Sequence, residues 1–320
     1  MKLGVATPPT RLLLTSVVLL GGAAVIVIAH RERARDVWNT LAGMPLWALG
    51  GAFVLVLSQL GLQAFRLWAL VPRTVALTLA STARAFTVGE WVNTFVPARA
   101  GDALKVVELC RAARGSRPIS VATATGAVLA DKIVDAGSLV VLCAAAGVTD
   151  LGSIGRVGLP GLGGVLGAAA VSAFLALSVW LTRPWWITRL AEWRSELVKG
   201  LSALTRPAKV VASACSSAGA WMAEVFALRV LSGALGFPLP LSHIVLALAV
   251  LNLGISVPIS AANLGVYESV LAFSLSRSGV PFASALAIAA VHHALELLAT
   301  YVGAAGLWLR AGRQPSAARS

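Results

Sequence analysis

Apolar runs punctuate the whole of this 320-residue sequence, at 12–29, 46–65, 75–96, 102–110, 119–146, 158–182, 208–235, 241–257, 264–276 and 283–309. A helix needs about 20 apolar residues to cross a hydrocarbon layer of roughly 30 Å. Backbone at that depth must satisfy its own hydrogen bonds, which leaves helices as the spanning element for runs like these. The first, second, fifth, sixth, seventh and tenth runs are long enough to cross alone. With 58% hydrophobic and 12% charged residues, the chain reads as an all-α, polytopic helical membrane protein. Residues 1–320 form a single transmembrane domain, with tails at 1–11 and 310–320. The first run follows Lys2 and Arg11 as a signal peptide would. It is long, however, and no small-x-small cleavage site precedes the charged His30–Asp36 stretch, so it is read as a retained span.

The four remaining runs form two pairs, 75–96 with 102–110 and 241–257 with 264–276, each joined by a proline–glycine break. At ~1.5 Å per residue the later member of each pair is too short to cross. Each pair is therefore expected to be a re-entrant hairpin or a broken helix. The first break runs Val96-Pro97-Ala98-Arg99-Ala100-Gly101-Asp102, and the second Val257-Pro258 with Gly265 and Glu268 following. With the N-terminus inside, the inner segments hold sixteen Lys and Arg and the outer ones five. That bias places both termini in the cytoplasm, with Arg31, Arg33 and Arg35 as a local exception outside. The fold is then about six full spans plus two oppositely entered pairs, a pseudo-inverted repeat. Opposed breaks of this kind point to a transport site near the midplane.

The net charge of +13 lies between apolar runs rather than on one face, so nucleic acid is not an expected partner. Cys110, Cys143 and Cys215 form no CxxC pair and read as buried thiols, not a disulfide framework.

Charges within the apolar runs are costly and mark function by default. The cations there are Arg84, Arg99, Lys105, Lys132 and Arg229; the acids are Glu90, Asp102, Glu108, Asp131, Asp135, Glu224, Glu268 and Glu296. Asp131, Lys132 and Asp135 can share one helix face, with Lys132 bridging to Asp135; a bundle-locking ion pair and a substrate contact both remain open for them. Asp102 and Lys105, three apart, pair likewise, with Asp102 at a positive helix N-terminus. Glu268 falls in the first turn of its own short helix. Glu224 and Arg229 point in different directions, so each must look to another helix. His292 or His293 is expected to hydrogen-bond Glu296, since a metal would demand more ligands than the sequence lines up. No nucleophile elbow, zinc, P-loop or dinucleotide motif is present, so neither a catalytic residue nor a cofactor is assigned.

These residues resemble one family, the transmembrane domain of lysylphosphatidylglycerol synthases and its stand-alone, flippase-like relatives. The family pattern N-x-x-x-P-x-R-x-G-E-x-x-R is met by Asn93, Pro97, Arg99 and Gly101, with Asp102 for the glutamate and Lys105 for the second arginine. A following Glu-Arg with a nearby Asp corresponds to Asp131, Lys132 and Asp135. In the second break, Pro258, Gly265 and Glu268 match a Pro-rich Gly-Gly-x-Gly-x-x-Glu stretch. There Ala262 and Asn263 replace small or glycine residues and Tyr267 the common arginine. The resemblance covers about residues 45–310 and implies movement of a lipid between leaflets. It makes Asn93, Arg99, Asp102, Lys105, Asp131, Lys132, Asp135 and Glu268 the expected headgroup-binding residues. Lysine lacks the planar fork with which arginine grips phosphate, so the headgroup contact is expected to differ from that of typical members.

The longest loop, 183–207, has no room for a soluble domain, so an aminoacyltransferase activity is not carried over. Two other readings stand beside lipid movement. An intramembrane lipid or polyprenyl-phosphate transferase would need an interfacial acidic or metal site. A non-catalytic partner of lipid-synthesis enzymes would tolerate neutral replacements at Arg99, Asp102 and Glu268. The Ala- and Arg-rich composition suggests a bacterial inner membrane, with membrane lipids as partners; the oligomeric state and the lipid stay open.

Overall fold

The computed structural model describes residues 31–72, 77–95, 100–113, 118–149, 187–255 and 261–312. The expected spans at 12–29 and 158–182, and Pro97, Arg99 and Pro258 of the two breaks, lie outside the described residues. Among the described residues every regular element is helical: α1 (Arg31–Ala42), α2 (Leu46–Leu70), α3 (Leu79–Phe95), α4 (Ala100–Ala112), α5 (Val121–Thr149), α6 (Ile187–Leu201), α7 (Pro207–Ala234), α8 (Leu241–Gly254), α9 (Val266–Arg277) and α10 (Phe282–Gly312). Short 3-10 turns at Ser202–Thr205 and Ala261–Asn263 precede α7 and α9. The chain is a multi-pass helical membrane protein. Helices α2, α7 and α10 meet the length and apolarity of a span. Helix α5 has 29 residues, longer than α2, but carries Asp131, Lys132 and Asp135 in its middle.

Proline sets the boundaries. Pro45 and Pro240 sit extended just before α2 and α8, and Pro207 opens α7, where a missing N–H costs nothing. Helix α2 stops at Val71, which is extended, as a residue before proline prefers to be (Pro72 follows). Ahead of α9 the backbone turns left-handed at Ala262 (φ 53°), Asn263 (φ 51°) and Gly265 (φ 81°). That conformation costs a residue bearing a Cβ roughly 1–2 kcal/mol, and Ala262 bears it while buried.

Among the described residues two large apolar cores result, beside a small third cluster at Leu70, Ala130 and Ala203. One joins Val56, Leu228, Leu231, Ile244, Leu248, Leu271 and Ile288 from α2, α7, α8, α9 and α10. The other joins Leu67, Phe86, Val106, Leu109 and Val128 from α2 to α5. Helix α2 therefore serves both cores, its first half in one and its second half in the other. The changeover falls at Gln59, and Arg66 lies in the second half; both are buried.

Two contacts require glycine. A Cβ on Gly101 of α4 would overlap the Gly89 carbonyl oxygen of α3, and a Cβ on Gly89 would fall 2.8 Å from the Gly101 carbonyl oxygen. Likewise a Cβ on Gly126 of α5 would lie 2.8 Å from the Cα of Gly200 on α6, and one on Gly200 2.7 Å from the Cα of Gly126. Small residues let backbones approach this closely, the usual basis of membrane helix packing.

The structure corrects three sequence expectations. The stretch read as the long loop 183–207 contains α6, docked on α5. Its charges, at Arg189, Glu192, Arg194, Glu196 and Lys199, broke up any apolar run. Arg66, counted in a loop, is inside α2 and 2% exposed. Cys215, expected to be buried, is exposed, while Cys110 and Cys143 are partly buried and all three are free.

A candidate headgroup site on a charged seam

Helices α3 and α4 lie side by side because of the glycine contact, and they bring the charges of the first break together. Lys105 is the centre. Its Nζ pairs with Glu90 and with Asp102, the latter at 2.9 Å, and lies 4.5 Å from the centre of the Phe86 ring. Asn93 donates from Nδ2 to Asp102 Oδ1 at 3.2 Å. Lys132 arrives from α5, with Nζ 3.4 Å from Asp102 and 4.0 Å from Glu90. Two lysines thus face two carboxylates, which is how charge survives at membrane depth. Lys105 is sealed at 1% side-chain exposure, whereas Lys132 is 33% exposed. The cluster is closed at one end and open at the other.

A second group adjoins it. Arg66 reaches from α2 to α5, donating from Nε to Asp131 at 2.7 Å and from Nη2 to the other Asp131 oxygen at 3.3 Å. Its Nη1 pairs with Asp135 and donates to Ser217 Oγ of α7 at 2.9 Å. The expected Lys132–Asp135 bridge is therefore replaced. Both aspartates belong to Arg66, a planar fork that fits two acceptors better than an ammonium does, and Lys132 turns to the first cluster. Asp131 and Asp135 thus form an interhelical ion pair with Arg66, while the Lys132 side chain is one third exposed.

The third group surrounds the second break. Glu268 is in the first turn of α9 as expected. Its Oε2 accepts the Gly265 N–H at 2.7 Å, half of a capping box. Its Oε1 is 2.7 Å from His293 Nδ1 of α10. Tyr267 stacks on His293 with ring centres 4.1 Å apart, and its hydroxyl shares a 2.7 Å hydrogen bond with His292 Nδ1. Neither histidine hydrogen-bonds Glu296: His292 Nδ1 stands 3.9 Å away. The histidine–glutamate bond exists, but across helices, through His293 and Glu268. Glu224 accepts from Gln59 Nε2 at 2.9 Å, and Arg229 donates to the Leu239 carbonyl oxygen in the following loop. These are the partners that one sequence could not name. The turn at Ala261–Asn263 runs beside α3, so the second break lies against the first pair.

Gln59, Arg66, Glu90, Ser217, Tyr267 and His293 join the seam without having been assigned to a site. Three of these carried a signal: Glu90 as a charge within an apolar run three residues before Asn93 on the same helix face, His293 in the expected histidine–glutamate bond, and Tyr267 in place of the family arginine. The transferred residues separate into those brought together (Asn93, Asp102, Lys105 and Lys132), those held in an adjoining pair group (Asp131 and Asp135) and Glu268, which is committed to a helix cap. Arg99 lies outside the described residues.

An apolar groove of about 300 Å³ lies between α2, α3 and α10, lined by Leu57, Leu60, Ala64, Ala83, Val302 and Gly303 and including Thr87, two residues from Gly89. On the side where α6 docks, Glu196 accepts hydrogen bonds from Thr123 Oγ1 at 2.8 Å and Ser120 Oγ at 3.0 Å. The Lys199 hydrogen bond, with those two hydroxyls, holds the Glu196 carboxyl down at about 2.

The family model described as Lysylphosphatidylglycerol synthase TM region matches residues 12–303. No curated protein and no solved structure gave a match.

Proposed function

We propose that this chain, which belongs to the lysylphosphatidylglycerol synthase transmembrane-region family, moves a lipid between the two leaflets of a membrane. The observation that carries the reading is the half-open charge cluster: Glu90, Asp102 and Lys132 are partly exposed and back onto the buried Lys105. An isolated charge at membrane depth costs about 2.5–3.5 kcal/mol on the insertion scale. A ring of two cations and two anions lowers that cost and offers a zwitterionic or anionic headgroup a partner for each of its charges. The N-terminus of α4, with Asp102 in its first turn, adds backbone N–H groups where a phosphate would lie. The neighbouring apolar groove suits an acyl tail, which needs no polar path at all.

In this reading no covalent bond is made or broken, and the lipid leaves as it entered. The protein works in the cytoplasmic membrane of a bacterium with both termini inside, as the excess of Lys and Arg on the inner segments favours. Transferring Arg66 from loop to helix leaves that excess in place. Membrane lipids are the partners, and Arg99 is given a headgroup role on the strength of the family pattern alone.

The test is leaflet exchange in proteoliposomes carrying a panel of headgroup-labelled lipids. Wild type is compared with Lys132→Gln, Asp102→Asn and Arg99→Ala, each checked for an unchanged melting temperature. Faster exchange of one lipid class, lost in these variants, supports the reading. Exchange no faster than in empty vesicles for every class, with folded protein, removes it.

A further inference from the structure

One buried group of side chains has no part in the headgroup cluster. Glu224 of α7, with His292 and Glu296 of α10, brings one ligand atom from each residue to within 4.8 Å of the others. His292 is 0% exposed, Glu224 5%, and the Glu296 side chain 26%. What distinguishes this group is its charge. Every other carboxylate on the seam meets a lysine, an arginine or, for Glu268, a histidine. Among the described residues no lysine or arginine pairs with Glu224 or Glu296. Among the described residues Glu224 accepts from the Gln59 amide, and His292 Nδ1 lies 3.9 Å from Glu296. Two carboxylates facing each other in low dielectric repel, and a shared cation or an added proton relieves that repulsion.

His292 supplies an independent sign of which of the two it is. Its Nδ1 is engaged by the Tyr267 hydroxyl at 2.7 Å, while its Nε2 is buried and has no hydrogen-bond partner. A histidine held through one ring nitrogen and bare at the other is arranged as metal-bound histidines are. Gln59 on Glu224 holds that carboxylate in the same manner.

We propose that Glu224, His292 and Glu296 bind a divalent first-row cation, of the zinc or manganese type. One imidazole nitrogen and two carboxylates form a donor set that such ions accept. A tetrahedral ion at ~2.1 Å from each ligand places ligand atoms roughly 3.4 Å apart. Rotamer adjustments of about 1 Å close the present spacing, well within side-chain reach. The dication balances both carboxylates, clamps α7 to α10, and keeps a fourth position for water. This binding is measured without lipid movement, so the two proposals fail separately.

The experiment titrates chelator-stripped, full-length protein in detergent with Zn²⁺ or Mn²⁺ alone, followed by calorimetry and by the Mn²⁺ electron paramagnetic resonance signal. One equivalent is expected to bind and to raise the melting temperature. Glu224→Gln, Glu296→Gln and His292→Asn abolish that equivalent. Gln59→Leu, acting through Glu224, weakens it about 10–100-fold. Glu108→Gln, whose carboxylate serves Arg84 and Arg111, leaves it within about twofold. Absence of a bound equivalent in wild type, or equal binding by wild type and the ligand variants, overturns the proposal. If a ligand variant does not fold, the wild-type Mn²⁺ signal decides. Coupling to one imidazole nitrogen supports the site, and a signal from oxygen ligands alone overturns it.

Discussion

Arg66 and Asp131 are joined by two hydrogen bonds, 2.7 and 3.3 Å long, with only 2% and 1% of their side chains exposed. The pair ties α2 to α5, and through Ser217 to α7. Removing the cation leaves Asp131 and Asp135 uncompensated. Arg66→Met is therefore expected to destabilise the fold by about 3–5 kcal/mol, the usual result of breaking a buried pair from one side. Arg66→Lys is expected to lose less, since it keeps the charge but not the fork. Thermal unfolding in detergent measures both.

Lys105 and Lys132 touch the same two carboxylates and differ in exposure. Lys105→Met should cost about 3–5 kcal/mol, because Glu90 and Asp102 lose their buried partner. Lys132→Gln should cost under about 1 kcal/mol, as a partly exposed ion pair does, yet suppress lipid exchange. Parallel measurement of melting temperature and exchange rate separates the scaffold cation from the working one. Equal loss of stability in both variants would contradict that division.

The glycine contacts give a third expectation. Gly101→Ala and Gly126→Ala drive a methyl group into the facing backbone and should each destabilise by about 1–3 kcal/mol. Gly50→Ala is the control, since a Cβ there meets nothing within 4 Å. It should be neutral or stabilising by up to about 1 kcal/mol through helix propensity. Melting temperatures of the three variants decide the matter.

Docking of α6 should depend on acid. The Glu196 carboxyl is lowered from 4.5 to about 2 in the folded protein by Lys199, Thr123 and Ser120. Its contribution is therefore complete above pH 4.5 and is lost as the pH falls from there through about 2. Fluorescence of Trp193, which lies on α6, is expected to follow that loss. Thr123→Ala combined with Ser120→Ala should move the midpoint upward. A midpoint unmoved by the double change would leave Glu196 without a part in docking.

Helix positions were legible in the sequence to a degree that the charge partners were not. Runs at 208–235 and 283–309 became α7 at Pro207–Ala234 and α10 at Phe282–Gly312, because proline and apolar composition are local signals. The 46–65 run stopped short of the end of α2 by five residues because Arg66 looked like a loop. Only an acid pair on α5, 65 and 69 residues further on, makes an arginine tolerable there. The Asp102–Lys105 pair was readable since it lies within one helix. The preference of Lys132 for Asp102 over Asp135 was not, because it depends on Arg66 holding Asp135 first. Glu224 had no partner in view for the same reason: Gln59 is 165 residues away, and uncharged. The His293–Glu268 bond shows that spacing within one helix can predict the right chemistry and the wrong partner.

Glu268 uses both of its oxygens: one closes the start of α9 on Gly265, and the other holds His293. A cation that recruits this carboxylate competes with both contacts. If Gly265 is released, the first turn of α9 frays beside the left-handed Ala262 and Asn263; if His293 is released, α10 loses its grip on α9. Occupancy by a ligand and the intact helix end are thus competing claims on one side chain. A ligand taken up at Glu268 is accordingly expected to loosen either the start of α9 or its hold on α10.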